Sequence, residues 1–262
     1  MQVGSAIATH LFPIVGTEGT VAIRIVFSAI ILGMAARGQL HSYKQLFLSN
    51  WKLLLPFGLC ITLMNFCFYK AIELIPLGAA VAIGFIGPLS VAAMTSRRII
   101  HFVWITLAAI GILLFSPLSG ADLNPIGVGY ELIAAIGWGS FVVLSGSVGK
   151  RVPGNNGLTI AMMIAAITML PFFMPIVNQL LHPRVFLIGL GVALLATSIP
   201  FTLEYHALNR IPPRNYGVLI SVEPAIAAIV GAILLEDYLG FQIIVAIIFV
   251  IVAAIGMALS KS

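Results

Sequence analysis

Residues 69–92, YKAIELIPLGAAVAIGFIGPLSVA, return at residues 205–228 as YHALNRIPPRNYGVLISVEPAIAA. Tyr69, Ala71, Ile75, Pro76, Pro88 and Ala92 match Tyr205, Ala207, Ile211, Pro212, Pro224 and Ala228 at a constant offset of 136 residues. One unit is used twice. The surrounding apolar runs give each unit five spans, an odd number, so the two copies must enter a bilayer with opposite orientation. Inverted repeats of this kind build carriers around a central site.

The composition agrees with a lipid environment. Of the 262 residues, 61% are hydrophobic and 8% charged, and the mean hydropathy is +1.14. That leaves too little polar surface to coat a soluble globule. Spans of roughly 20 residues with short connections leave room for about ten helices and no separate soluble domain. The net charge of +5 does not point to nucleic acid, because the basic residues fall in short loops rather than on one continuous face. Cys60 and Cys67 lie seven residues apart in one apolar run. Two helical turns separate their Cα atoms by roughly 10 Å, too far for a disulfide, so they read as packing residues. No basic segment, short apolar core and cleavage site can be made out at the start.

Ten spans are expected, at residues 1–15, 20–36, 53–71, 76–95, 99–117, 126–147, 157–177, 184–207, 215–235 and 240–260. The apolar runs are too long, and alternate too little, for barrel strands. With the N-terminus inside the cell, the inner loops hold Arg37, Lys44, Lys52, Arg97, Arg98, Lys150, Arg151, Arg210, Arg214 and Lys261, whereas Arg24, Lys70 and Arg184 fall on the outer half. This bias orients the chain by the positive-inside rule, and the acidic Glu236 and Asp237 in an outer loop do not disturb it. Residues 1–15 would extend only about 22 Å as a helix, against a hydrocarbon core of roughly 30 Å. Gly4 and Ser5 align with Gly139 and Ser140, and the sixth span begins about ten residues before the position matching Met1. The first helix is therefore expected to lack its first half, the alternative being a genuinely short or re-entrant one.

Pro88 and Pro224 occupy equivalent places inside the fourth and ninth spans. A proline has no N–H, so the carbonyls of Gly84 and Ile220, four residues back, lose their helical partners. In lipid those carbonyls need a neighbour, water or a substrate. The duplicated breaks mark either a substrate site or packing kinks. Glu223, beside Pro224, lies about 12 Å into the ninth span, where a carboxylate is expensive and faces the bundle interior. It can bind a substrate amine, carry a proton, do both in turn, or serve as a structural carboxylate. Gly87 stands at its place in the first copy.

Glu131 and Arg24 both fall in the outer halves of their spans. Either they pair, which lowers the cost of both charges, or each reaches for the outer interface. Glu204, near the inner end of the eighth span, reads as a gate residue or one meeting the headgroups. Asn65 and Trp138 are polar-tipped residues suited to a cavity wall, whereas Tyr69 and Tyr205, near span ends, read as interfacial belt residues. Gly4, Gly84, Gly87, Gly137, Gly139 and Gly231 read as points of close helix approach. There is no P-loop, HExxH, CxxC or GxSxG motif. Without the first of these, energy for transport must come from gradients or from a partner. No nucleophile–base pair or metal cluster argues for an enzyme.

Three stretches carry a family resemblance: FPIVGTEGTVAIRI at 12–25, IPLGAAVAIGFIGPLSVAAMTSRR at 75–98 followed by HFVW, and SIPFTLEYHALNRIPPRNYGVLISVEPAIAAIVGAILLED at 198–237. They resemble the EamA branch of the drug/metabolite transporter superfamily, over nearly the whole chain and most specifically in the fourth, eighth and ninth spans. The resemblance implies an all-α membrane protein of ten transmembrane helices in two inverted five-helix repeats, at 1–117 and 126–260. It implies a bacterial inner-membrane location with both termini cytoplasmic, surrounded by lipid. The expected activity is export of a small amino acid, of the threonine or homoserine kind, or a related metabolite, with proton antiport plausible chemically but not fixed by any residue. By position, Arg24 matches the arginine near the start of the family's second helix, and Glu223 falls in its ninth-helix pattern. A non-transporting structural or regulatory membrane subunit is the alternative, and a homodimer stays open.

Overall fold

Gly16 turns the chain between the first two apolar runs with φ 72° and ψ 172°, a conformation that costs a residue with a Cβ far more than it costs glycine. The computed structural model describes residues 7–35, 40–115, 123–223, 225–226 and 241–260. Each described element is helical, as expected where no water can satisfy an open backbone. In chain order the α-helices are α1 (Phe12–Ala35), α2 (Leu40–Leu74), α3 (Leu77–Gly84), α4 (Ile86–Thr95), α5 (Ile99–Phe115), α6 (Pro125–Gly149), α7 (Asn156–Phe173), α8 (Pro183–Val192), α9 (Ile199–Leu208), α10 (Pro213–Leu219) and α11 (Phe241–Leu259). Tighter 3-10 turns occupy Thr9–Leu11, Met174–Leu181 and Ile220–Val222, and a π-helical turn spans Ala193–Ser198. Among the described residues, six helices are long and apolar enough to cross a membrane, and Ile99–Leu114 and Ile244–Leu259 form two shorter apolar ones. The outer surface is apolar as well: Met94, Ile136, Leu187 and Leu203 are all exposed, as suits side chains that face lipid.

Two expectations need correction. Residues 37–52, read as a connection, are helical from Leu40, with the bend confined to Asn50 (φ −130°, ψ 18°), whose side-chain amide donates to the carbonyl of Leu46 at 3.2 Å. Tyr69 and Tyr205, expected at the membrane interface, are fully buried. Position along a helix gives depth in the membrane but not the direction a side chain faces, and these two face inward.

Lipid tails are as apolar as leucine, so close packing rather than expulsion from water holds such helices together. Glycine supplies that closeness. A Cβ on Gly87 would stand 2.1 Å from the carbonyl oxygen of Ala135, and one on Gly217 2.4 Å from that of Pro88, so α4 meets both α6 and α10 backbone to backbone. A Cβ on Gly137 would likewise meet Met64 on α2. Phe57, Phe141 and Phe201 form a continuous aromatic column through α2, α6 and α9, with ring centroids 5.5 and 5.3 Å apart.

Several neighbours run antiparallel. Trp104 Nε1 donates to Ser260 Oγ at 2.9 Å while Gln242 Nε2 donates to the carbonyl of Leu114 at 2.9 Å, so α5 and α11 lie head to tail. Gly33 faces Met163 and Gly19 faces Ile176, which sets α1 antiparallel to α7 and its 3-10 extension.

A helix break falls beside Pro88 as expected, whereas the Ile220 carbonyl, expected to lack a partner, accepts from the backbone N–H of Glu223. The α3–α4 helix is interrupted at Phe85, one turn before Pro88. In the second copy α10 gives way to the 3-10 turn Ile220–Val222 just before Glu223. Pro224, Gly4 and Gly231 lie outside the described residues.

Candidate functional site

A cavity of about 70 Å³ lies between the helices, lined by Arg24 of α1, Met64, Asn65 and Phe68 of α2, Val81 and Gly84 of α3, Glu131, Ala134 and Trp138 of α6, Phe201 of α9, and Glu223. That volume admits several waters. The wall mixes apolar side chains with three ionisable ones, and residues from before and after the central connection contribute almost equally.

Arg24 is 3% exposed. Its position follows from a second proline effect. Pro200 has no N–H to give the carbonyl of Ala196, and the chain answers with the π-helical turn Ala193–Ser198. The freed oxygen of Ala196 accepts a hydrogen bond from Arg24 Nη2 at 2.8 Å. Thr197 Oγ1 accepts a second from Arg24 Nε, and Ser28 donates to the carbonyl of Ala193 at 3.0 Å. The guanidinium also lies 5.2 Å from the centre of the Tyr69 ring, an attractive placement for a cation.

Glu131 is 2% exposed, and its Oε2 has no hydrogen-bond partner among the described residues. Its Oε1 occupies the space a side chain at Gly84 would need, since a Cβ there would stand 2.6 Å away. Gly84 therefore makes room for a carboxylate, where the sequence suggested close helix approach and a carbonyl freed by Pro88. Arg24 and Glu131 share the cavity, but the ion pairs among the described residues join Lys70 to Glu18 and Glu73, not Arg24 to Glu131. Neither residue reaches for the interface, since both are buried.

Asn65 is buried and donates to the carbonyl of Ile61 at 2.7 Å. The Trp138 ring rests against Phe85 at 5.1 Å. Glu204 is 8% exposed, so it does not meet the headgroups. It does not line the cavity, and its Oε2, like the Tyr216 hydroxyl, has no hydrogen-bond partner among the described residues.

The structure thus brings Arg24, Asn65, Gly84, Glu131, Trp138 and Glu223 to one cavity, and Glu204 is not among the residues that line it. Pro88 and Ile220 do not line it; they shape the backbone next to residues that do. Met64, Phe68, Val81, Ala134 and Phe201 complete the wall and carried no sequence signal beyond their apolarity. Thr197 and the carbonyl of Ala196 were also missed, although Pro200 four residues on was the available clue.

Residues 125–259 match the EamA-like transporter family. The threonine/homoserine exporter RhtA of Salmonella typhimurium (strain SL1344) is 36% identical over 269 residues, covering 99% of this chain and 88% of that protein. The protein of the same name from Escherichia coli (strain K12) is 36% identical over 265 residues, with the same coverage. A solved crystal structure superposes with a TM-score of 0.74 over 97% of this chain and 91% of that one, at 16% identity, a likeness of fold alone.

Proposed function

Because the chain belongs to the EamA-like transporter family, we propose that this multi-pass membrane protein exports small amino acids, of the threonine or homoserine kind, across the bacterial inner membrane through the cavity between its two halves. The observation that carries this reading is the cavity itself. It is a small chamber with buried basic and acidic side chains, walled by α1, α2 and α3 and by α6, α9 and Glu223.

The repeat makes that chamber a junction between two rocking bodies. Under the offset of 136 residues α5 corresponds to α11 and α1 to α7. Both pairs pack against each other head to tail, as copies of opposite orientation would. This supports ten helices in two inverted five-helix repeats, at 1–117 and 126–260, with both termini in the cytoplasm. Rocking one repeat against the other then opens the chamber to each face in turn.

Glu223 is the acid we assign to proton exchange. It sits at the cavity wall where the ninth span breaks. Uptake of radiolabelled L-threonine and L-homoserine into inverted vesicles, with and without a pH gradient, tests the reading. Accumulation that falls when the gradient is collapsed, and that loses this dependence in Glu223→Gln, is the expected result. No accumulation of any amino acid would favour the structural or regulatory subunit instead.

A further inference from the structure

We propose that Arg24 and Glu131 are the two poles of a zwitterion site, Arg24 taking the α-carboxylate of the substrate and Glu131 its ammonium group; this rests on the reading of the cavity as an amino-acid export site. Both side chains are almost wholly buried, both line the same cavity, and no ion pair joins them or joins either to another described residue. Burying an arginine and a carboxyl group in one membrane cavity without pairing them disfavours the charged form of each. A ligand carrying both complementary charges on neighbouring atoms offsets both costs at once.

The geometry of each pole fits its role. A guanidinium offers five N–H donors. Thr197 and Ala196 engage Nε and Nη2 and so fix the plane of the group, which leaves donors on Nη1 and Nη2 to form the fork that grips a carboxylate with two parallel bonds. At the other pole, Glu131 Oε2 lacks a partner among the described residues, and its Oε1 fills the gap beside Gly84. An ammonium donates three hydrogen bonds and accepts none, so it suits Glu131 in its ionised, acceptor-only form, which a bound cation itself favours. Met64, Phe68, Val81, Ala134 and Phe201 give the rest of the wall its apolar part, beside Asn65, Trp138 and Glu223. The substrate class is a small zwitterionic α-amino acid, and neither a monoamine nor a carboxylic acid satisfies both poles.

Titration calorimetry on the purified full-length protein in detergent tests this, with three probes of similar size: L-threonine, L-threoninamide, which lacks the carboxylate, and 2,3-dihydroxybutyrate, which lacks the ammonium. The wild type is expected to bind threonine about ten- to hundredfold more tightly than either single-charge probe, the scale set by removing one charged hydrogen bond. In Arg24→Gln the preference over threoninamide should collapse while that over dihydroxybutyrate persists; Glu131→Gln should show the reverse. This crossed pattern would not arise from general misfolding. Equal binding of threonine and threoninamide by the wild type, or variants that keep its full selectivity, would overturn the two-pole site. Absence of binding for all three probes would overturn it too. The vesicle assay judges export separately, because threonine export without this selectivity leaves the exporter standing and removes only the site.

Discussion

Arg24 Nη2 donates to the carbonyl of Ala196 at 2.8 Å, the acceptor that Pro200, four residues later, leaves without a helical donor. A helix defect on one side of the cavity thereby fixes a cation contributed by the other. The neighbouring bond to Thr197 completes the mount, and its removal should be felt directly.

Thr197→Val keeps the shape of the side chain and deletes the acceptor for Arg24 Nε. A buried donor left unmet costs about 1–3 kcal/mol, and more when it is charged, so thermal unfolding in detergent should move down in the valine variant and stay near wild type in Thr197→Ser. Equal melting of the valine and serine variants would show that this bond does not hold Arg24.

Gly84→Ala and Gly87→Ala are nearly the same change with different expected outcomes. At Gly84 the added methyl meets only the far end of Glu131, at 2.6 Å from Oε1. The carboxylate can swing aside, so the protein should fold and lose transport. At Gly87 the methyl meets the backbone of α6, at 2.1 Å from the Ala135 oxygen, and overpacking of this kind costs about 1–3 kcal/mol or more. Yield of monodisperse protein should fall for Gly87→Ala and hold for Gly84→Ala, with vesicle uptake separating the two.

Lys70 sits between Glu18 at 2.6 Å and Glu73 at 3.3 Å, and Glu73 also accepts from Thr17 at 2.7 Å. The cluster ties the end of α2 to the turn at Gly16. Because these side chains are 21–46% exposed, Lys70→Met should lower stability by no more than about 1 kcal/mol, and added salt should shrink the difference. Unfolding followed at low and high ionic strength checks both.

The sequence foretold the helix breaks better than their consequences. Pairing Pro88 with Pro224 led to interruptions at Phe85 and at Ile220–Val222, because a missing N–H acts locally and can be read from one residue. Glu131, Asn65, Trp138 and Arg24 stood out as polar groups in apolar runs, since the cost of burying them restricts where they can point. What escaped was whatever depends on rotation about a helix axis or on a partner far along the chain. Tyr69 and Tyr205 turned inward, the Arg24 acceptors lay more than 170 positions away, and the apolar lining of Met64, Val81 and Phe201 is indistinguishable in sequence from lipid-facing surface. The helix beginning at Leu40 was hidden by its charged and polar composition.

Thiol labelling at its wall tests whether the cavity is one chamber reached from both sides of the membrane. Cys60 and Cys67 are buried and would be replaced by alanine, and Val81→Cys would then place a single thiol in the cavity. A membrane-impermeant maleimide should modify that thiol when added from either face, in right-side-out and in inverted vesicles, and excess L-threonine should slow both reactions. Modification from one face only, or rates that threonine leaves unchanged, would contradict a carrier that alternates around this site.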